Sequence, residues 1–279
     1  MLGALLSSCS NGHGRTAEAV AFPSGDKLLH GYLYKPAGPG PFPAMLYNHG
    51  SAPGDLNTQA FDAIAPVFVA HGWAFFAPYR RGQGLSADAG PYIMDEIKGA
   101  RARGGTEAAA ETLLRLLTTD HLNDQLAALA WLKQQAFVRP DAIAVMGNSF
   151  GGIETVLGAR NGAYCAAVDA AGGAESWDEA PALRDTMTWA VREASQPILF
   201  FQAENDVTTA PSRELFAARK AVGRPAEIRI FPAFGASSRE GHAFPYRGVD
   251  IWKDEVIRFL ERHCGTMDPG MASGSSKQR

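Results

Sequence analysis

Cysteine is scarce in this sequence: Cys9, Cys165 and Cys264 are spread over 279 residues. Three scattered thiols imply no disulfide framework, and no CxxC pair or Cys/His cluster has the spacing of a zinc site. Neither a metal nor an organic cofactor is implied. Basic charge is not in excess either. Lys and Arg number 26 against 29 Asp and Glu, for a formal net charge of −3. A nucleic-acid partner would call for a concentrated basic surface. No apolar run approaches the ~18 residues of a membrane-spanning helix, and no internal repeat is visible. What the chain does have is 46% hydrophobic and 20% charged residues, the balance of a globular protein with room for one large α/β core.

The N-terminus admits two readings. Leu6-Ser7-Ser8-Cys9 has the form of a bacterial lipoprotein processing site, with Cys9 as the lipid-anchored residue and 1–16 as a flexible tether. Met1 to Leu6 carries no Lys or Arg, and its apolar run is shorter than the ~7–15 residues of a signal peptide. The segment is therefore either a frayed end on a cytoplasmic protein or the remnant of a signal that directs it to the cell envelope. At the other end, 265–279 is rich in Gly, Ser and polar residues, which predicts a disordered tail.

Between these ends, strand and helix patterns alternate. Segments 17–22 and 27–34 flank the turn residues Pro23-Ser24-Gly25-Asp26 and predict an antiparallel hairpin. Short apolar runs at 44–47, 73–77, 142–146, 164–169, 198–202 and 227–231 read as further strands, and 142–146 carries no charge, as a central parallel strand should. Helical periodicity occurs at 61–71, at 122–132, after Gly151, and at 212–221 and 249–263. Such alternation predicts a doubly wound, mainly parallel α/β sheet. One stretch, about 86–119, breaks the alternation. Its second half, 106–117, predicts a helix, whereas 89–103 has no clear period. A connection of this length is functional or flexible. It is expected to form a small cap, with the adjacent large side chains Tyr92, Ile93 and Met94 shaping a substrate pocket. The alternative is that these three only anchor the insertion to the core.

Gly147-Asn148-Ser149-Phe150-Gly151 is a G-x-S-x-G elbow between a buried strand and a helix, the context in which a serine is lifted clear of a sheet as a nucleophile. A serine hydroxyl needs a base. Of the seven histidines, His242 alone lies after the last strand and before the final helix. The base needs a carboxylate to hold its tautomer. Asp206, just after the strand at 198–202, is the first choice, with Glu204 and Asp169 as competitors. An oxyanion would be met by the backbone N–H of Phe150 and by that of Ser51, in Asn48-His49-Gly50-Ser51, with His49 bracing the loop.

These motifs, with Tyr79-Arg80-Arg81-Gly82-Gln83-Gly84-Leu85-Ser86 and Gly241-His242-Ala243-Phe244, resemble the dienelactone hydrolase and prolyl oligopeptidase branch of the α/β hydrolases, over roughly 17–264. The resemblance implies the α/β-hydrolase fold and a triad in the order Ser149, Asp206, His242. Two departures stand out. Dienelactone hydrolases carry cysteine where this chain has Ser149, and the peptidases carry an N-terminal propeller for which this chain has no room. The expected activity is hydrolysis of a small-molecule carboxylic ester through an acyl-enzyme. An amide or peptide hydrolase, or an acyltransferase, would use the same triad, and a non-catalytic binding protein on this fold is the alternative of another class. Oligomeric state is not legible.

Overall fold

Eight strands form a single sheet in the order β1-β2-β4-β3-β5-β6-β7-β8 in the computed structural model, which describes residues 17–265. Residues 1–16, with Cys9, and 266–279 of the expected tail lie outside the described residues. β1 (Glu18–Ser24) and β2 (Lys27–Tyr34) make the opening hairpin, turning at Gly25 with φ 58°. β2 pairs antiparallel with β4 (Ala74–Pro78). From there the sheet is parallel through β3 (Phe42–Asn48), β5 (Val138–Asn148), β6 (Ala167–Ala170), β7 (Ile198–Ala203) and β8 (Ala226–Phe231). β3, β4, β6 and β7 are buried at every position, which is why they read as unbroken apolar runs.

Helices close both faces. On one side α1 (Gly54–Ala70) and the last helix cover Met45, Phe75, Met146 and Phe201. On the other lie α2 (Ile93–Thr118), α3 (Asp120–Lys133), α4 (Phe150–Asn161), α5 (Pro181–Glu193) and α6 (Ala210–Ala221), packed on Leu46, Phe76, Val145 and Phe200. Two short helices, α7 (Ser238–His242) and α8 (Phe244–Arg247), precede α9 (Val249–Cys264). Each core side chain the size of Phe76 or Phe259 that is fully withdrawn from water contributes about 1.5–3 kcal/mol. Helix α5 was not expected from the sequence. Its buried residues Leu183, Met187, Ala190 and Val191 stand at i, i+4, i+7 and i+8, a helical spacing that was legible in the sequence.

The stretch without clear period is also helical. α2 begins at Ile93 and breaks at Gly104–Gly105, where Gly105 adopts φ 72° and ψ −159°. The two arms fold back on each other. Arg115 Nη2 is 3.8 Å from Glu96 Oε2, although residues so far apart in a continuous helix would be separated by about 28 Å. The insertion is therefore a helical hairpin turning on two glycines.

The expectation from the scattered thiols is corrected. Cys165, just before β6, and Cys264, at the end of α9, form a disulfide with their Cα atoms 5.2 Å apart, 99 positions apart in sequence. Their spacing in the chain carries no sign of this, because the sheet and the last helix bring them together.

Candidate active site

The chain winds outward in both directions from the middle of the sheet. β3 lies between β4 and β5, so the connections that leave β3 and β5 run to opposite faces. The carboxyl ends of these neighbours form the crevice where doubly wound sheets bind ligands. Asn48 of β3 pairs with Gly147 of β5, which sets the loop at His49–Ser51 beside the turn at Ser149.

Ser149 is held at φ 55° and ψ −121°, a conformation L-residues avoid and one that surrounding structure must enforce. Its N–H donates to the Ala170 carbonyl at 3.1 Å. The flanking glycines are demanded by space. A Cβ on Gly151 would lie 1.9 Å from the Asn48 carbonyl oxygen, and one on Gly147 would lie 2.2 Å from that of Gly151. The turn thus presents the Ser149 hydroxyl at the N-terminus of α4, where unpaired N–H groups favour negative charge.

His242 ends α7. Its Nε2 lies 3.0 Å from Ser149 Oγ and its Nδ1 2.8 Å from Asp206 Oδ1. Burial works against an imidazolium here, but the hydrogen bond and charge of Asp206, aided by Glu175, outweigh it and raise the pKa above 6.5. Asp206 is also held by the Val207 N–H at 2.6 Å and by Gln202 Nε2 at 2.9 Å. The competing carboxylates lie elsewhere. Glu204 is exposed. Asp169 is buried, accepts the Gly172 N–H at 2.9 Å, and is pushed by burial to a pKa of about 7.

Sequence reasoning missed two residues that set this geometry. Gln202 aims the Asp206 carboxylate from within β7. Asn205 bridges the acid and base loops, accepting the Phe234 N–H at 2.8 Å and donating to the carbonyls of Phe234 and Ser237 at 3.0 Å. Ser237 in turn caps α7, accepting the Glu240 N–H at 3.3 Å, and the S-x-x-E spacing at 237–240 was a legible sign of that start.

Behind the Ser51 loop lies a buried ion pair. Arg80 donates to both Glu154 oxygens at 2.9 and 2.8 Å, to the His49 carbonyl at 2.7 Å and to Gln83 Oε1 at 2.9 Å. Gln83 passes the restraint on to the Ala52 carbonyl at 2.7 Å. His49 is fully buried. Burial and the Arg80 charge hold its pKa well below 6.5, so its neutral ring accepts the Arg80 N–H at Nε2 and donates from Nδ1 to the Gly50 carbonyl.

Ser51 and Phe150 share the rim of a cavity of about 160 Å³, whose apolar wall includes Met94, Ile97, Ala109, Leu113 and Ala180. Both arms of the α2 hairpin contribute to that wall. The three adjacent residues expected at the pocket separate. Met94 lines it. Tyr92 instead donates its hydroxyl to the Ser51 carbonyl at 2.5 Å. Ile93 is fully buried in the core, which corrects its placement as a pocket residue: consecutive residues of a helix face different ways, 100° apart. Among the described residues, no group of three His, Cys, Asp or Glu side chains is placed to hold a metal ion.

The dienelactone hydrolase family profile matches residues 29–263. This chain belongs to the dienelactone hydrolase family. The eight-stranded sheet and its flanking helices are the α/β-hydrolase fold. Solved structures share that fold at low identity. An acylaminoacyl peptidase from Pyrococcus horikoshii is 16% identical with a TM-score of 0.63, the match covering 91% of this chain and 42% of the peptidase. A puromycin-hydrolyzing peptidase from Mycobacterium tuberculosis is 17% identical with a TM-score of 0.64, covering 91% and 41%. This chain therefore spans about two fifths of the length of these peptidases. An esterase from Pyrococcus furiosus is 15% identical with a TM-score of 0.64, covering 90% of this chain and 92% of the esterase.

Proposed function

We propose that this protein is a serine hydrolase that cleaves carboxylic esters through an acyl-enzyme. The observation that carries the reading is the continuous line of hydrogen bonds from Ser149 Oγ through His242 to Asp206, at 3.0 and 2.8 Å, with the serine held in a strained turn. Ser149 Oγ attacks the ester carbonyl while His242 Nε2 takes its proton. Asp206 holds the ring with Nδ1–H toward itself and stabilises the imidazolium. The N–H groups of Phe150 and Ser51 receive the oxyanion, and each such donor accounts for a rate factor of about 10²–10³. His242 returns the proton to the departing alcohol. It then takes a proton from the water that frees the acid and restores Ser149. The apolar wall from α2 receives the acyl chain. Arg80 and His49 act at one remove, by stiffening the loop that carries Ser51.

Family members that use cysteine have a nucleophile that is partly ionised without help. Serine at 149 depends on its base, and the short His242 contact supports that dependence. The Cys165–Cys264 disulfide favours the cell envelope over the cytoplasm as the protein's location, because reducing compartments keep thiols unpaired. The test of activity is labelling with a fluorophosphonate, followed by turnover of p-nitrophenyl esters beside aminoacyl p-nitroanilides. Ester turnover abolished by Ser149→Ala, with folding retained, is expected. Preference for the anilides would move the reading to an amidase, and an unlabelled Ser149 would end it.

A further inference from the structure

The cavity beside Ser149 has apolar walls, yet charged groups stand at its rim: Arg101, Glu175 and Glu179. Glu179 is neutralised. Its Oε2 receives Arg101 Nη2 at 2.8 Å, a pair that joins the α2 hairpin near its glycine turn to the segment before α5. Glu175 is different. Its carboxylate lies 3.8 Å from His242 Nε2, and no Lys or Arg pairs with it among the described residues. The side chain is half exposed, at 56%, so water rather than protein solvates its charge in the free enzyme.

Glu175 Oε2 lies 3.8 Å from His242 Nε2, which lies 3.0 Å from Ser149 Oγ, so the carboxylate sits within about 7 Å of the nucleophile. A reacting carbonyl carbon stands about 3–3.5 Å from the nucleophile. An ammonium group a few bonds from that carbon then falls at hydrogen-bonding distance from Glu175. An anionic substituent in the same place meets an unneutralised negative charge, and like charges so close are disfavoured.

We propose that Glu175 selects esters that carry a cationic amine or quaternary ammonium within about four bonds of the scissile carbonyl carbon, and that it rejects anionic ones. The inference rests on the acyl-enzyme reading above and names its substrate class. The ammonium enters beside His242, its alkyl or acyl remainder lies against Met94, Ile97 and Leu113, and no covalent step beyond ester cleavage is involved. Glu175 is a specificity residue in this scheme, because its contact is with the substrate's charge and not with the bond that breaks.

The experiment compares matched pairs. On the acyl side, 3-aminopropionyl and butyryl esters of p-nitrophenol differ by ammonium against methyl. On the alcohol side, choline butyrate and 3,3-dimethylbutyl butyrate differ in the same way. Wild-type enzyme should favour the cationic member of at least one pair in kcat/KM, and whichever pair responds identifies the side that carries the charge. Glu175→Gln should lower that preference about fivefold, the upper end for a half-exposed ion pair. Glu175→Asp should keep part of it, and 0.5 M salt should erode it in the wild type. A monosuccinyl ester should gain in the Gln variant. An unchanged cation-to-neutral ratio in both pairs overturns the proposal. Equal losses on cationic and neutral members, with a shifted acid limb of the pH profile, also overturn it, since Glu175 would then act through His242. Those failures are distinct from failure of the acyl-enzyme reading, which would show as absent fluorophosphonate labelling and no turnover of any ester.

Discussion

Replacing Arg80 by Met tests whether the buried ion pair supports both the fold and the Ser51 loop. Arg80 and Glu154 are 3% and 5% exposed, and both Glu154 oxygens receive their hydrogen bonds from Arg80. Met fills the space of the alkyl stem but leaves the carboxylate buried without a donor, a change that costs about 3–5 kcal/mol. The alternative for Glu154 is to take up a proton. From its ordinary value of 4.5, that costs roughly 3.4 kcal/mol at pH 7, so both routes give the same scale. In a domain of this size the melting temperature should fall by about 10 °C. Burial already raises the Glu154 pKa and Arg80 opposes the rise, so losing Arg80 raises it further. The stability tied to the neutral carboxyl is present below the unfolded-state pKa near 4.5 and is lost as pH climbs through the raised folded value. The deficit of Arg80→Met should therefore grow between pH 5 and pH 8. Arg80→Met/Glu154→Leu should recover most of the stability, since a buried pair is replaceable by apolar groups. It should not recover activity. The bonds from Arg80 to the His49 carbonyl and Gln83 are gone in both variants, and misplacing an oxyanion donor by ~1 Å costs about 10²-fold in rate. Differential scanning fluorimetry and kcat/KM on one p-nitrophenyl ester suffice. A single variant that melts with the wild type, or a double variant with full activity, would refute the reasoning.

Because the His242 pKa is raised, kcat/KM should fall with decreasing pH through a midpoint above 6.5, and Asp206→Asn should lower kcat by roughly 10⁴. A limb centred well below 6.5 would contradict the assignment. Met94→Ala and Leu113→Ala should shift the acyl-length optimum by about 1–3 kcal/mol of discrimination. Ile93→Ala, in the core, should lower the melting temperature through a loss of about 2–5 kcal/mol and leave the profile of ester lengths in place. The reverse pattern would show the cavity misassigned. Cys165→Ser/Cys264→Ser should lose about 4–5 kcal/mol, from the entropy of the roughly 100-residue loop the bond closes, read as a lower midpoint in urea. Equal midpoints with and without the bond would refute that account.

The sequence by itself determined the eight strands in chain order and most of the helices between them, because a charge-free strand and an amphipathic helix differ in period; helix α5 and the first arm of α2 escaped that reading. It also showed the elbow at 147–151, because a serine spaced between glycines directly after a charge-free strand marks that turn, although the contact that excludes a side chain at Gly151 comes from Asn48, far away in sequence. His242 and Asp206 were legible from their places after the last strands. What only the tertiary structure decided depends on separations the chain does not encode locally. The Cys165–Cys264 bond spans 99 positions, and Arg80 meets Glu154 across 74. Glu175 comes within 3.8 Å of His242 only because two loops converge on one crevice. The same holds for the neighbours in 92–94. Adjacent in sequence, they share hydrophobicity but not direction. Helix rotation sends Met94 to the cavity and Ile93 to the core, while Tyr92, in extended conformation just before the helix, reaches the Ser51 carbonyl, and no reading of composition distinguishes them before the helix is placed against the sheet.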